Sequence, residues 1–237
     1  MALIGTALTM FLFSTLIYIY SFIDTSVKIL GLNFAQSLVF GVIVCSTDPV
    51  SILSVFTQLG VDVDLYYIIL GESALNDAVS LIAQRTVNNY HHQYVENNIP
   101  YSASNIFKYL GLFFLTLIGS FTVGTMFALL NAVITKSTQL HRFPIVEAAL
   151  FLILSYCSFI ATEMCGMVGI VGILFCGVFQ AHYTRTNLSD ESKLFVEKTF
   201  DLLCFFFEQF VFSYMGITVF AYSKHVWNIG LLTWAFV

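Results

Sequence analysis

From Leu3 to Ile23 the chain carries no charged residue, and long apolar runs of the same kind recur along its 237 residues. About 20 mostly apolar residues cross a bilayer as a helix. This repetition predicts an all-α polytopic membrane protein. Composition agrees where it bears on the point: 10% of residues are charged and the mean hydropathy is +0.86, whereas a soluble domain is about 25% charged.

Taken in order, the predicted spans are Leu3–Ile23, Phe34–Phe56, Leu65–Val87, Ile106–Ile134, Ile145–Glu163, Gly166–Phe179 and Phe200–Tyr222. The start of an eighth follows Asn228. The stretch from Asn88 to Ser104 is the most polar and loop-like, and His91 and His92 read as loop residues there. Gln180–Thr199 reads as a polar link. Residues 1–237 form a single domain, and both ends read as cut from a larger membrane domain. Lysine and arginine are slightly more numerous around Thr135–Pro144 and Gln180–Thr199, which the positive-inside rule assigns weakly to the cytosol.

One apolar run contains groups that do not belong in lipid. Within Leu65–Val87 stand Glu72, Ser73, Asn76 and Asp77. A charge near the bilayer centre costs at least roughly 2.5–3.5 kcal/mol, so such residues face an internal cavity and mark ion or proton paths. Glu72 and Asn76 are four apart, as are Ser73 and Asp77. That spacing stacks side chains on one helix face. The expectation is one polar stripe at which a cation and a proton compete.

The second apolar segment supplies a facing wall. It carries Ser46-Thr47-Asp48-Pro49 near its centre. Proline removes a backbone donor and pushes the residue before it away from helical dihedrals. In a membrane the freed backbone groups are tolerated only beside protein or a wet cavity, and broken helices recur at transporter ion sites. A simple kink would need no carboxylate, so Asp48 beside Pro49 favours a functional break.

Other features have plainer readings. Gly111, Gly119, Gly124, Gly166, Gly169, Gly172 and Gly177 read as small residues that let membrane helices approach. The five cysteines form no C-x-x-C pair and read as small buried hydrophobes. A net charge of -5 argues against nucleic-acid binding, which needs a basic patch.

Thr47-Asp48-Pro49-Val50 and Gly71-Glu72-Ser73-Ala74-Leu75-Asn76-Asp77-Ala78 together resemble the signatures of the eukaryotic sodium/proton exchangers. Leu174–Tyr183 and Phe212-Ser213-Tyr214-Met215-Gly216 resemble the organellar branch of endosomal and Golgi exchangers. The likeness extends over essentially all of the chain.

This resemblance implies that Asp77 is the exchanging carboxylate. Asn76 is then the amide that replaces a second acid in electroneutral members, and Ser73 an ion-contacting hydroxyl. Thr47 and Asp48 belong to the unwound crossing. Glu72 pairs with an arginine later in the family's chain, and Glu163 and Glu208 fall at family acidic positions. The fold implied is a partial sodium/proton antiporter fold in a lipid bilayer. The full-length parent is a homodimer, in an endosomal or Golgi membrane or at the plasma membrane. The ions handled are Na⁺ or K⁺ and H⁺, with no cofactor and no enzymatic chemistry.

The residues themselves leave other readings open. Seven spans also suit a seven-helix receptor, Asp48 and Asp77 could form the dyad of an intramembrane hydrolase, and the chain could be a non-transporting fragment. Neither alternative activity explains mid-membrane acids beside an Asp-Pro break as directly as ion exchange does.

Overall fold

The computed structural model describes residues 2–23, 34–46, 50–97, 103–138 and 142–221. The Thr47-Asp48-Pro49 break and the expected eighth span lie outside the described residues. Among the described residues the secondary structure is helical throughout. The helices are α1 (Ala2–Ile23), α2 (Phe34–Cys45), α3 (Val50–Leu59), α4 (Val63–Asn97), α5 (Ala103–Ser137), α6 (Pro144–Met164), α7 (Gly169–Phe179) and α8 (Asp190–Ala221). Each of the seven expected spans contains helix, and the second is divided between α2 and α3.

By length and composition, four of the described helices can cross a membrane: α1, α5, α6 and α8. The others are shorter or, like α4, too polar.

Two expected links are helical instead. Asn88–Asn97 continues α4, so His91 and His92 are helix residues and not loop residues. No glycine or proline interrupts the chain between Gly71 and Pro100. Once a helix is nucleated, residues such as Gln, Arg and Glu extend it at little cost. The link Gln180–Thr199 shrinks in the same way. α7 runs into a π-helical turn, Gln180–Thr184, then a 3-10 turn, Arg185–Asn187. α8 begins at Asp190, ten residues before the expected start at Phe200. Ser189 caps it: the Ser192 N–H donates to Ser189 Oγ at 3.4 Å, and Asp190 and Glu191 in the first turn suit the positive end of the helix dipole.

The chain forms two compact units: residues 1–120 with 166–171, and residues 121–165 with 172–237. In the first, α1, α2 and α4 pack against one another, and α3 packs on α4. The inward faces are small and often polar. Thr6, Ser14, Ser21, Ser37, Val42, Cys45, Ala78 and Ser80 are buried, while Ile4, Leu8, Phe11 and Ile19 point outward. This is the reverse of a soluble core, and it follows from the solvent. Lipid accepts large apolar side chains, so helix contacts select small ones that allow close approach. A Cβ at Gly41 would overlap Ser14 Oγ on α1. Several of the buried hydroxyls bond along their own helix, as when Ser14 Oγ donates to the Met10 carbonyl at 2.6 Å, whereas Ser37 Oγ has no partner among the described residues. Gly60, at φ 63°, ends α3 in the left-handed conformation that glycine takes without a Cβ penalty.

In the second unit α6 buries Glu147, Ala148, Phe151, Ser155, Ser158 and Thr162 on one face. Ala148 and Phe151 join Leu188 and Val196 in a small apolar core. A polar knot ties α6 to the start of α8. Glu147 is 1% exposed. Its Oε2 accepts from the Ser189 N–H at 3.2 Å, from Ser189 Oγ at 2.8 Å and from Ser192 Oγ at 2.5 Å. On α7, a Cβ at Gly172 would overlap Thr162, and one at Gly124 of α5 would overlap the Gly172 carbonyl. Glycine at both positions lets three backbones approach.

Candidate ion site

α4 carries the candidate site in the first unit. Its helix buries Ser73, Ala78, Val79, Ser80, Ile82 and Ala83, which fixes one face against α1 and α2. Ser73 lies on that face. Asn76 is half-buried, and its Oδ1 is shut from solvent with no hydrogen-bond partner. Glu72 and Asp77 are exposed in this structure. The expected single stripe therefore divides: Ser73 faces the interior, Asn76 stands at its edge, and the two carboxylates lie on the open side.

Asp77 is not isolated there. Ser46, the residue that follows α2, donates its hydroxyl to Asp77 Oδ1. One residue earlier, Cys45 Sγ lies 3.5 Å from Ser80 Oγ of α4. The C-terminal end of α2 is thus seated on α4 at the level of Asp77–Ser80. The last four carbonyls of a helix have no partner within it, and together they form its negative end. Such a terminus opposes an added anion and favours a cation. With the Asp77 carboxylate, the Ser46 hydroxyl and the bare Asn76 oxygen, α2 and α4 present oxygen donors of the type that hard cations select.

Not every predicted residue meets this group. Thr47, Asp48 and Pro49 lie outside the described residues, though Ser46 immediately before them is in contact with Asp77. Glu163 and Glu208 belong to the second unit and are exposed on α6 and α8. Ser46 was missed as a site residue. Its only signal in sequence was its place one residue ahead of Thr47-Asp48-Pro49.

The family description "Sodium/hydrogen exchanger, transmembrane" matches residues 1–237. Human sodium/hydrogen exchanger 7 is 40% identical over all of this chain, which covers 33% of that protein. Rat sodium/hydrogen exchanger 9 is 37% identical over all of the chain and 37% of its own length. The endosomal/prevacuolar sodium/hydrogen exchanger of Saccharomyces cerevisiae is 35% identical over 96% of the chain and 35% of its own length. The chain spans about a third of the length of these curated relatives. An all-helical polytopic architecture, an Asn76-Asp77 pair on an apolar bundle and a match over every residue lead to one assignment: the chain belongs to the sodium/hydrogen exchanger family.

Proposed function

We propose that this chain carries the ion site of a monovalent cation/proton exchanger, in which Asp77 binds either Na⁺ (or K⁺) or a proton. The observation that carries this reading is the meeting of Asp77 with Ser46 at the C-terminal end of α2. A carboxylate can hold a cation or a proton but not both at once, so one side chain can trade the one for the other. If the loaded site opens to one side of the membrane at a time, the cycle exchanges one cation for one proton. Each tenfold gradient then supplies about 1.4 kcal/mol. The yeast relative is named as endosomal, and the same kind of membrane is the proposed location of this chain. The full-length parent is a homodimer on this reading.

The test is proton movement in proteoliposomes holding the full chain and a trapped pH dye. An imposed Na⁺ or K⁺ gradient drives proton flux in the opposite direction, saturating with cation concentration. Proton flux that ignores the cation gradient would overturn the reading.

A further inference from the structure

We propose that Arg85 is a positioning residue for exchange at Asp77, acting through its clasp on the Met167 carbonyl; the inference rests on the exchanger reading above. Arg85 stands on α4, eight residues after Asp77, about 12 Å along the helix axis. It is half-buried, and its Nη1 donates to the Met167 carbonyl at 2.6 Å. Met167 lies in the non-helical link between α6 and α7, where Gly166 takes φ 75°.

The link is held from a second direction. The Val168 N–H donates to Ser120 Oγ at 3.2 Å. The Met167 side chain lies over Gly119, where a Cβ would stand 2.7 Å from its methyl and 2.8 Å from its sulfur. Gly119, Ser120, Met167, Val168 and all of α4 belong to the first unit. Non-helical backbone lacks the partners a helix supplies, and these contacts provide some of them.

One carbonyl, however, needs only a neutral donor. A neutral donor within reach of that carbonyl would avoid the insertion cost of a cation. What arginine adds is reach and a charge-assisted bond from a planar, rigid fork. α4 has no glycine or proline between Asp77 and Arg85, so it moves as a rod. Fixing Arg85 fixes the rotation and axial register of Asp77. A slip of one residue turns a helix by about 100° and shifts it by about 1.5 Å, enough to carry Asp77 away from Ser46. Near Asp77 itself the contacts of α2 with α4 include the Ser46 hydroxyl and the 3.5 Å approach of Cys45 to Ser80. The clasp at Arg85 is a second anchor, at the other end of the same rod.

The experiment compares Arg85→Gln, Arg85→Lys and Ser120→Ala in the full chain, by Na⁺-driven proton flux in proteoliposomes and by amide hydrogen exchange of the same samples. Arg85→Gln is expected to raise the KM for Na⁺ about tenfold, the equilibrium effect of losing one charge-assisted hydrogen bond, with little change in kcat. Arg85→Lys keeps a cationic donor and restores most of the affinity. Ser120→Ala removes the Val168 tether while the Arg85 bond is kept, and raises KM less than Arg85→Gln does. A wild-type KM in Arg85→Gln, or an equal rise in Ser120→Ala, would overturn the proposal. Hydrogen exchange reads the clasp independently of transport. Arg85→Gln is expected to speed exchange both at residues 166–171 and at the turn 73–77. A change confined to 166–171 means that α4 has not moved, and it refutes the positioning role. Absence of Na⁺-dependent flux in the wild-type chain counts against the exchanger reading, and the exchange pattern then decides the role of Arg85 by itself.

Discussion

Removing the carboxylate of Glu147 should loosen the start of α8 by an amount that its contacts allow to be worked out. Its Oε2 accepts from the Ser189 N–H at 3.2 Å and from the hydroxyls of Ser189 and Ser192 at 2.8 and 2.5 Å. In Glu147→Ala the two hydroxyls can re-pair, because they already lie 2.7 Å apart and Ser192 Oγ also reaches the Pro144 carbonyl at 3.0 Å. The Ser189 N–H has no such substitute. A buried donor left without an acceptor costs about 1–3 kcal/mol, and the cavity left by the side chain adds to that. Relief from burying a charge whose Oε1 has no partner offsets part of the loss. The net cost is about 2–3 kcal/mol. For a chain of this size each kcal/mol moves the unfolding midpoint by about 2–4 °C, so the midpoint should fall by about 8 °C. Glu147→Gln keeps the shape and one acceptor and should cost about 1 kcal/mol, the difference between a charge-assisted and a neutral bond. Thermal unfolding in detergent, followed by loss of the monodisperse species, measures both. A Glu147→Ala midpoint at the wild-type value, or a glutamine as harmful as the alanine, would refute the role of Glu147 in tying α6 to the start of α8.

The glycines provide a contrast within one residue type. Gly124→Ala should destabilise by about 1–3 kcal/mol or more, because its Cβ would overlap the Gly172 backbone, which cannot yield as a side chain can. Gly177→Ala, with nothing within 4 Å of its Cβ, should be neutral or stabilising by up to about 1 kcal/mol; the same thermal assay distinguishes them. At the site, Asn76→Asp adds a second carboxylate beside Asp77. Exchange in that variant should become sensitive to membrane voltage, read as a change of flux when a potassium diffusion potential is imposed. Voltage-independent flux would remove the amide from its proposed role.

The region of the candidate site was legible in sequence because lipid makes polarity conspicuous. Glu72, Ser73, Asn76 and Asp77 stand out on α4 for the cost of placing them there, and the Asp-Pro pair flags the end of α2 for a steric reason. Which of these groups touch was not legible. Ser46 looks like any hydroxyl in an apolar helix, and most of those bond to their own chain, as Ser14 and Thr57 do. Only the seating of α2 on α4 directs Ser46 to Asp77. Glu147 was hidden for a related reason. A carboxylate near a helix end reads as an interface residue, whereas its partners lie more than forty residues later. The early start of α8 was readable and was overlooked. Ser189-Asp190-Glu191 is a helix N-terminus on physical grounds, but the polarity of the stretch suggested a link. The close glycines differ from the open ones only in what faces them, which no local pattern records.

The most direct measurement of the central claim compares wild type with Asp77→Asn in sealed proteoliposomes, recording proton flux on an imposed Na⁺ gradient. Asparagine keeps the size of the side chain and can still accept from Ser46, so packing around α4 is preserved while the exchangeable charge is lost. The account predicts an inserted, monodisperse protein with no cation-coupled proton flux. Coupled flux that persists in Asp77→Asn would contradict it.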